Sequence, residues 1–330
     1  MQAVESQKSV ETMQQIIQRE RWPGEYITGP SGVQRVQCVP LVTAGQQVQP
    51  DQPVMRLERL SALDIPGGGE RVVGRDEVAP AGLFGRVVRT TARGGVLVES
   101  LATVLQGTLG VGNQIAGILT PVNMEDESSI GGVLSKLPAG AILAIPQPLT
   151  FAILRRAIIS GVGGIIGGSV ALSDLEGFLH ADLLSILNST NIEQAQGQLP
   201  AMTLILTEGI GQTPMAAATF ELLQQHAGSF VLASGVTSTR HNLMPEVVIS
   251  SPQQADVSRQ SEPSKYASLN VGTRVRVTCG EQQGATGIIE YFFLHEQLFT
   301  SGVRSRAVRL YLDSGASLML PLTHVQPVSL

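Results

Sequence analysis

Ala139-Gly-Ala-Ile-Leu-Ala-Ile-Pro-Gln-Pro148, Val162-Gly-Gly-Ile-Ile-Gly-Gly-Ser169 and Leu199-Pro-Ala-Met-Thr-Leu-Ile-Leu-Thr-Glu-Gly-Ile-Gly-Gln-Thr-Pro214 decide the fold. Each is a short apolar run, then a glycine or proline break, then a segment with helical spacing. Strand runs alternating with helices predict a parallel sheet joined by right-handed crossovers. Three helix starts are marked. Thr150 precedes Phe151 as an N-cap, Ser173 and Glu176 have capping-box spacing, and Thr213-Pro214 reads as N-cap and first turn. Gly161 and Gly228 fit helix C-termini. A fourth run, Ser229-Phe-Val-Leu-Ala233, and a fifth, Glu246-Val-Val-Ile249, complete this α/β unit.

In open parallel sheets, ligands bind beyond the carboxyl ends of the strands. Gly167, Gly168 and Ser169, then Glu208, Gly209, Gly211 and Thr213, are the candidate loops there. Arg240 is the candidate cation beside them. Free N–H groups at such loops suit a small anion. The segment carries neither a P-loop Gly-Lys-Ser/Thr nor a dinucleotide fingerprint, and Glu208 would repel an anion. Turn geometry alone is the competing reason for these glycines. Glu208 and Asp174 are a carboxylate pair that could approach each other across the edge of the predicted sheet.

Composition bounds the rest. The 330 residues are 43% hydrophobic and 15% charged, ample for real cores. Aromatics make only 4%, so the cores must be built from Val, Ile, Leu and Ala. A net charge of −5 excludes a whole-protein attraction for nucleic acid. Lysine occurs only at 8, 136 and 265; the remaining basic residues are arginines. Cys38 and Cys279 lie far apart, which is no disulfide framework. With no apolar leader, they point to a reducing, cytoplasmic setting. The apolar window 157–172 is too short and too broken by glycine for a membrane span. The five histidines have no ligand spacing, no Gly-x-Ser-x-Gly elbow occurs, and no metal or cofactor is expected.

Working outward, Val4, Val10, Met13, Ile16 and Ile17 predict an amphipathic helix ended by Trp22-Pro23-Gly24. From Glu25 to Pro121 the pattern is short β runs split by glycine and proline, which predicts an all-β unit. Pro66-Gly-Gly-Gly69 reads as an exposed loop, the acidic Met124–Ser129 stretch as a connection, and Ser250–Tyr266 as a linker.

Two family resemblances follow from these residues. Gly45-Gln-Gln-Val48 followed by Asp51-Gln-Pro-Val54 resembles the turn of barrel-sandwich hybrid domains, the fold of biotinyl and lipoyl carriers. Gly110-Val-Gly-Asn-Gln-Ile115 resembles its counterpart in the second half. Those carriers hold their cofactor on a hairpin lysine, and no lysine lies between Lys8 and Lys136. The resemblance therefore implies the fold without the carrier function. At the other end, Gly272-Thr-Arg-Val-Arg-Val-Thr-Cys-Gly280 through Gly287-Ile-Ile-Glu290 resembles a KOW motif. Arg309-Leu-Tyr-Leu-Asp313 and Leu320-Pro-Leu-Thr-His-Val325 resemble the later strands of the same SH3-like barrel. That likeness implies contact with RNA or with proteins of the transcription and translation machinery. Tyr291, Phe292, Arg304, Arg306 and Arg309 are its candidate partner-binding residues.

The expected architecture is multidomain α/β plus β. A helix (1–24) precedes a barrel-sandwich-like β domain (25–121), a parallel-sheet α/β domain (122–250), a linker (251–268) and a KOW/SH3-like barrel (269–330). The expected function is a non-catalytic scaffold or assembly subunit that docks protein partners or copies of itself as a homo-oligomer. The alternatives are a small anionic ligand or enzymatic chemistry at the glycine loops, and RNA association through residues 265–330. Six scattered basic residues from Lys265 onward favour protein over RNA.

Overall fold

The structure, a computed structural model, describes residues 14–29, 32–61, 71–72, 77–123, 130–134, 137–138, 140–241, 243–252, 269–278, 280 and 282–328. The predicted loop at 66–69, the acidic connection 124–129 and nearly all of the linker lie outside these residues. The described chain is mostly β, with several sheets and one mixed α/β sheet.

The first nine strands are β1 (Gln15–Arg21), β2 (Tyr26–Gly29), β3 (Gly32–Pro40), β4 (Gln47–Val48), β5 (Pro53–Ser61), β6 (Arg71–Val72), β7 (Glu77–Pro80), β8 (Gly85–Thr90) and β9 (Val96–Gln106). β1 corrects the expected N-terminal helix, whose earlier part lies outside the described residues. It pairs antiparallel with β9 along its whole length. Its inward positions include Ile17 and Arg21, both nearly fully buried. One sheet runs β2-β3-β5, with β6 and β7 both on β5. It packs against β1, β8 and β9 through a shared core that includes Cys38, Val54, Met55, Leu57, Val87, Val96 and Val98. β4 pairs with β8 at the turn that Gly45 opens with φ +87°.

β9 belongs to two structures. Val96–Glu99 are flanked by both β1 and β8, so those partners occupy opposite edges. Ala102–Gln106 pair instead with β16 (Glu246–Ser250). Through β16 the sheet continues into the centre of the chain. The intervening elements are β10 (Leu109–Val111), β11 (Gln114–Pro121), α1 (Ile130–Leu134), β12 (Ile142–Ile145), α2 (Phe151–Ile159), β13 (Gly164–Val170), α3 (Leu172–Leu179), α4 (Leu183–Leu187), α5 (Ile192–Gly197), β14 (Thr203–Ile210), α6 (Ala217–Gln225) and β15 (Phe230–Ser234). The strand order is β10-β14-β13-β12-β11-β15-β16-β9-β8-β4. Hydrogen bonding therefore crosses residues 121–122 without a break.

β11, β12, β13 and β14 are parallel, as the strand–helix alternation predicts. Their side chains alternate between two cores. Leu143, Ile145, Ile165, Leu204 and Leu206 meet Ile130, Ile153, Leu175 and Leu183 of α1 to α4 on one face. Ile142, Ala144, Ile166 and Ile205 meet Phe220 and Leu223 of α6 on the other. β15 and β16 depart from expectation, because both pair antiparallel. From β14 to β15 is four strand spacings, roughly 19 Å. A nine-residue α6 spans about 14 Å. It is thus used to traverse the sheet, and the chain enters β15 beside the carboxyl end of β11, where Phe230 faces Ile118.

Local signals placed α2 well. Thr150 accepts the Ile153 N–H at 3.3 Å, and Gly161 follows with φ +73°. Two other starts are corrected. α3 begins at Leu172 with Ala171 as its cap, and Glu176 accepts the Leu183 N–H that opens α4. α6 begins at Ala217, capped by Ala216, three residues beyond Thr213.

The tail is a separate five-stranded antiparallel sheet. Its elements are β17 (Arg274–Val277), β18 (Thr286–Phe292), β19 (Gln297–Leu298), β20 (Arg304–Ser305), β21 (Ala307–Leu312), β22 (Ser317–Pro321) and β23 (Val325–Pro327). The order is β22-β21-β18-β17-β23, and β19 and β20 form a hairpin outside it. Val275, Val277, Ile289, Val308, Leu310 and Leu312 fill its core. No helix among the described residues is long and apolar enough to cross a membrane.

Candidate functional site

The glycine set is not a group of loops. Gly167, Gly168 and Ser169 lie inside β13, buried, and Glu208 and Gly209 lie inside β14. A Cβ on Gly167 would stand 2.5 Å from Leu149 Cδ1; one on Gly168 would meet the backbone of Thr213, Pro214 and Met215. Two chain segments thus press on this end of β13 from either side, and only glycine leaves them room. The Ser169 hydroxyl donates to the Thr213 carbonyl at 2.8 Å. Ser169 and Thr213 are brought together, but by packing of the strand against the approach to α6. Arg240 is elsewhere: its guanidinium pairs with Glu296 at 2.7 Å and donates to the Asn188 carbonyl at 3.2 Å. Gly211 is half-buried beyond the end of β14. Asp174 accepts the Phe151 N–H at the start of α2.

Arg240 belongs to a clamp that fixes the tail to the centre. The Asn188 amide donates from Nδ2 to the Gly302 carbonyl at 3.1 Å and accepts the Arg304 N–H at 2.9 Å. A single carboxamide so presents both halves of a peptide group to the hairpin. Thr239 donates to the Arg304 carbonyl, and Ser305 donates to the Thr239 carbonyl. Arg304, a candidate for partner contact, has its backbone committed inside the molecule. Replacing Asn188 by alanine should speed exchange of the Arg304 amide about tenfold, since one held donor is released. Unchanged exchange would show that the hairpin is held by other contacts. The Arg240 hydrogen bond holds the Glu296 carboxyl below its ordinary value of 4.5. A lowered carboxylate contributes fully above that value, and its contribution fades as pH falls through the folded value. Clamp opening should accordingly increase only in acid. The pair is partly exposed, so its share is at most about 1 kcal/mol.

On the tail's outer face the structure collects aromatic and arginine side chains. β18 shifts register between Ile289 and Tyr291. The shift turns Tyr291 outward, 46% exposed, and lays the half-buried Phe292 against the core. Phe293, also half-buried, lies 5.2 Å from Tyr291 in a T-shaped pair. The Arg309 guanidinium lies 5.7 Å from the Phe293 ring centre, within cation–π range. Arg309 stands between Tyr291 and Met319 in register, and Tyr311 between Ile288 and Ser317. Arg276, Arg304, Arg306 and Arg309 are exposed and form no ion pair among the described residues. Alternation in Arg309-Leu-Tyr-Leu312 is the sequence signal that marks Arg309 and Tyr311 as outward.

A cavity of about 540 Å³ opens between the end of α3, α4 and α5. Its polar lining is His180, Ser185, Ser189, Asn191, Gln194 and Gln198, with no carboxylate, lysine or arginine among the lining residues. The wall offers neutral hydrogen-bonding groups and no paired acid and base. Among the described residues no group of three or more His, Cys, Asp or Glu could hold a metal ion.

Cys38 sits in the N-terminal core, 6% exposed, and burial pushes its thiol up to about 11 against the pull of Arg21 and Arg93. At pH 8 that leaves a few hundred-fold less thiolate than an ordinary thiol has, by order of magnitude. In a Cys279→Ser background, Cys38 should therefore resist thiol reagents until the protein unfolds. Prompt labelling of the native protein would contradict its placement.

Comparison of the chain with protein-family models, with curated proteins and with solved structures gives no match.

Proposed function

We propose that the chain is a non-catalytic interaction protein, a scaffold or assembly subunit that docks partners through its β units. The observation that carries this reading is the tail's outer face, where exposed Tyr291 and Arg309 stand together around the half-buried Phe293 ring, with Arg309 paired to no carboxylate among the described residues. Aromatic and arginine side chains are the types that dominate protein contacts.

In this reading residues 25–121 form a barrel-sandwich-like unit and residues 269–330 a KOW/SH3-like barrel, with the α/β unit (122–250) between them. Two face-to-face sheets with the Gly45 turn support the first. A five-stranded antiparallel sheet whose last two strands are joined by a short 3-10 turn (Leu322–His324) supports the second. A buried, unpaired Cys38 thiol is compatible with the reducing cytoplasm we assign to it.

A small-ligand reading rests on the cavity beside α4, whose lining suits a neutral polar molecule better than an anion. Thermal shift of the full chain against a metabolite and nucleotide panel separates the two, with light scattering alongside. The interaction reading expects no saturable shift. A saturable rise in melting temperature would replace it with the small-ligand reading.

A further inference from the structure

We infer that β22 is an open docking edge that receives an extended, acidic segment of a partner protein as an added strand; this rests on the interaction reading above. The edge can be derived from the register. Leu322 N–H donates to the Arg306 carbonyl and Leu312 N–H donates to the Ala316 carbonyl, both at 2.9 Å. Hydrogen-bonded and non-hydrogen-bonded pairs alternate in an antiparallel ladder. Leu318 and Leu320, opposite Leu310 and Val308, therefore spend their backbone groups on β21. Ser317 and Met319 point theirs the other way, to an edge on which no described strand lies.

Exposed edges are normally blunted by charge, proline, a bulge or a covering segment. β10, an edge of the central sheet, is covered in this way. The Thr237 hydroxyl both accepts the Gly110 N–H and donates to the Gly110 carbonyl, each at 2.8 Å. Among the described residues no strand covers the outer edge of β22 in this way. Its sequence, Ser-Leu-Met-Leu-Pro, carries no charge, and its one proline closes only the far end. An uncharged open strand beside exposed aromatic side chains has the geometry of strand addition.

Charge selects the occupant. Side chains of an added strand opposite Met319 would project over the outer face toward Arg309, which has the Phe293 ring beside it and no carboxylate partner among the described residues. Glu290, in the register shift next to Tyr291, turns its carboxylate toward the Ser317 end, where it accepts from the Ser317 hydroxyl at 3.5 Å. An acidic side chain is thus favoured at the Met319 end and disfavoured at the Ser317 end. A polypeptide fits better than a nucleic acid. The edge offers donors and acceptors at peptide spacing, which a sugar–phosphate backbone does not match.

The test is fluorescence anisotropy of the full chain with a labelled, capped hexapeptide of alternating valine and threonine in which one central threonine is replaced by glutamate. Saturable binding is expected, weakened about tenfold or more in Met319→Pro, which removes only a solvent-facing N–H. The same loss is expected in Arg309→Glu, and in the unaltered protein when the peptide carries N-methyl groups on alternate amides. The N-methyl arm decides the matter should Met319→Pro fail to fold. Binding indifferent to N-methylation, or a uridine oligonucleotide that displaces the peptide, would overturn the proposal. So would a dimer of the chain that disappears in Met319→Pro, since a second copy would then be the occupant. Failure of the peptide with no saturable shift in the metabolite panel removes the edge proposal alone; a saturable shift removes the interaction reading itself.

Discussion

Arg21→Ala is expected to lower the unfolding free energy by about 3–5 kcal/mol, read as a fall in the urea midpoint. Arg21 is 3% exposed, yet no carboxylate among the described residues pairs with it. Its Nε donates to the Pro80 carbonyl at 2.9 Å, and one terminal nitrogen donates to both the carbonyl and the Oε1 of Gln114. Burial lowers its pKa to about 10, so it remains charged at neutral pH. Gln114 completes the join. Its Oε1 also accepts the Trp22 N–H at 2.8 Å, and its Nε2 donates to the Glu20 carbonyl at 3.0 Å. These bonds tie the end of β1 to the start of β11, two strands not paired by backbone bonds. Removing the guanidinium takes the donor from the Pro80 carbonyl, at about 1–3 kcal/mol, weakens the hold on Gln114, whose Oε1 keeps the Trp22 N–H, and leaves a cavity. Arg21→Met fills the space and removes a costly buried charge, so it should lose less than alanine does. A loss below about 1 kcal/mol in Arg21→Ala would mean that the seam is closed by other contacts.

Gly168→Ala should cost about 2–4 kcal/mol, by the mechanism of overpacking. The new methyl would stand 2.7 Å from the Pro214 carbonyl carbon, 2.8 Å from the Thr213 oxygen and closer still to the Met215 nitrogen. All three are backbone atoms, which cannot rotate aside. Gly161→Ala is the control. Its φ of +73° is unfavourable for alanine, but no atom lies within 4 Å of the added carbon, so about 1 kcal/mol is expected. Thermal melts of the two variants discriminate packing from turn geometry. Equal, small effects would reinstate Gly167–Ser169 as a segment with slack to receive a ligand.

Gly168 also shows why part of the fold was hidden in the sequence. A glycine pair after an apolar run reads as a turn, and nothing local reveals that Leu149 and Met215 will crowd it from afar. β13 and β14 therefore run farther than expected, through Gly167–Ser169 and through Glu208–Gly209, and the supposed ligand loops are strand. β1 was obscured for a different reason. Its inward positions hold Arg21 beside Ile17, and an arginine on the buried face breaks the alternation that marks a strand. The direction of β15 depends on where α6 leads the chain, which composition does not encode. By contrast, Thr150 and Gly161 act within a single helix, and α2 was legible to the residue. On the tail, Tyr291 and Arg309 were legible as aromatic and cation. The inward turn of Phe292 was not, because one register shift reverses every side chain after it.

The two partners, β8 and then β16, that β9 takes along one edge set a schedule for the newborn chain. Its last five residues stay without β16 until Glu246–Ser250 have been made, some 140 residues of synthesis after Gln106. At ribosomal speeds that wait is on the order of ten seconds. Through it, an apolar ribbon ending in Leu101-Ala-Thr-Val-Leu105 leaves the ribosome with one flank open. Aggregation during translation, and the demand for a chaperone, should concentrate in that interval.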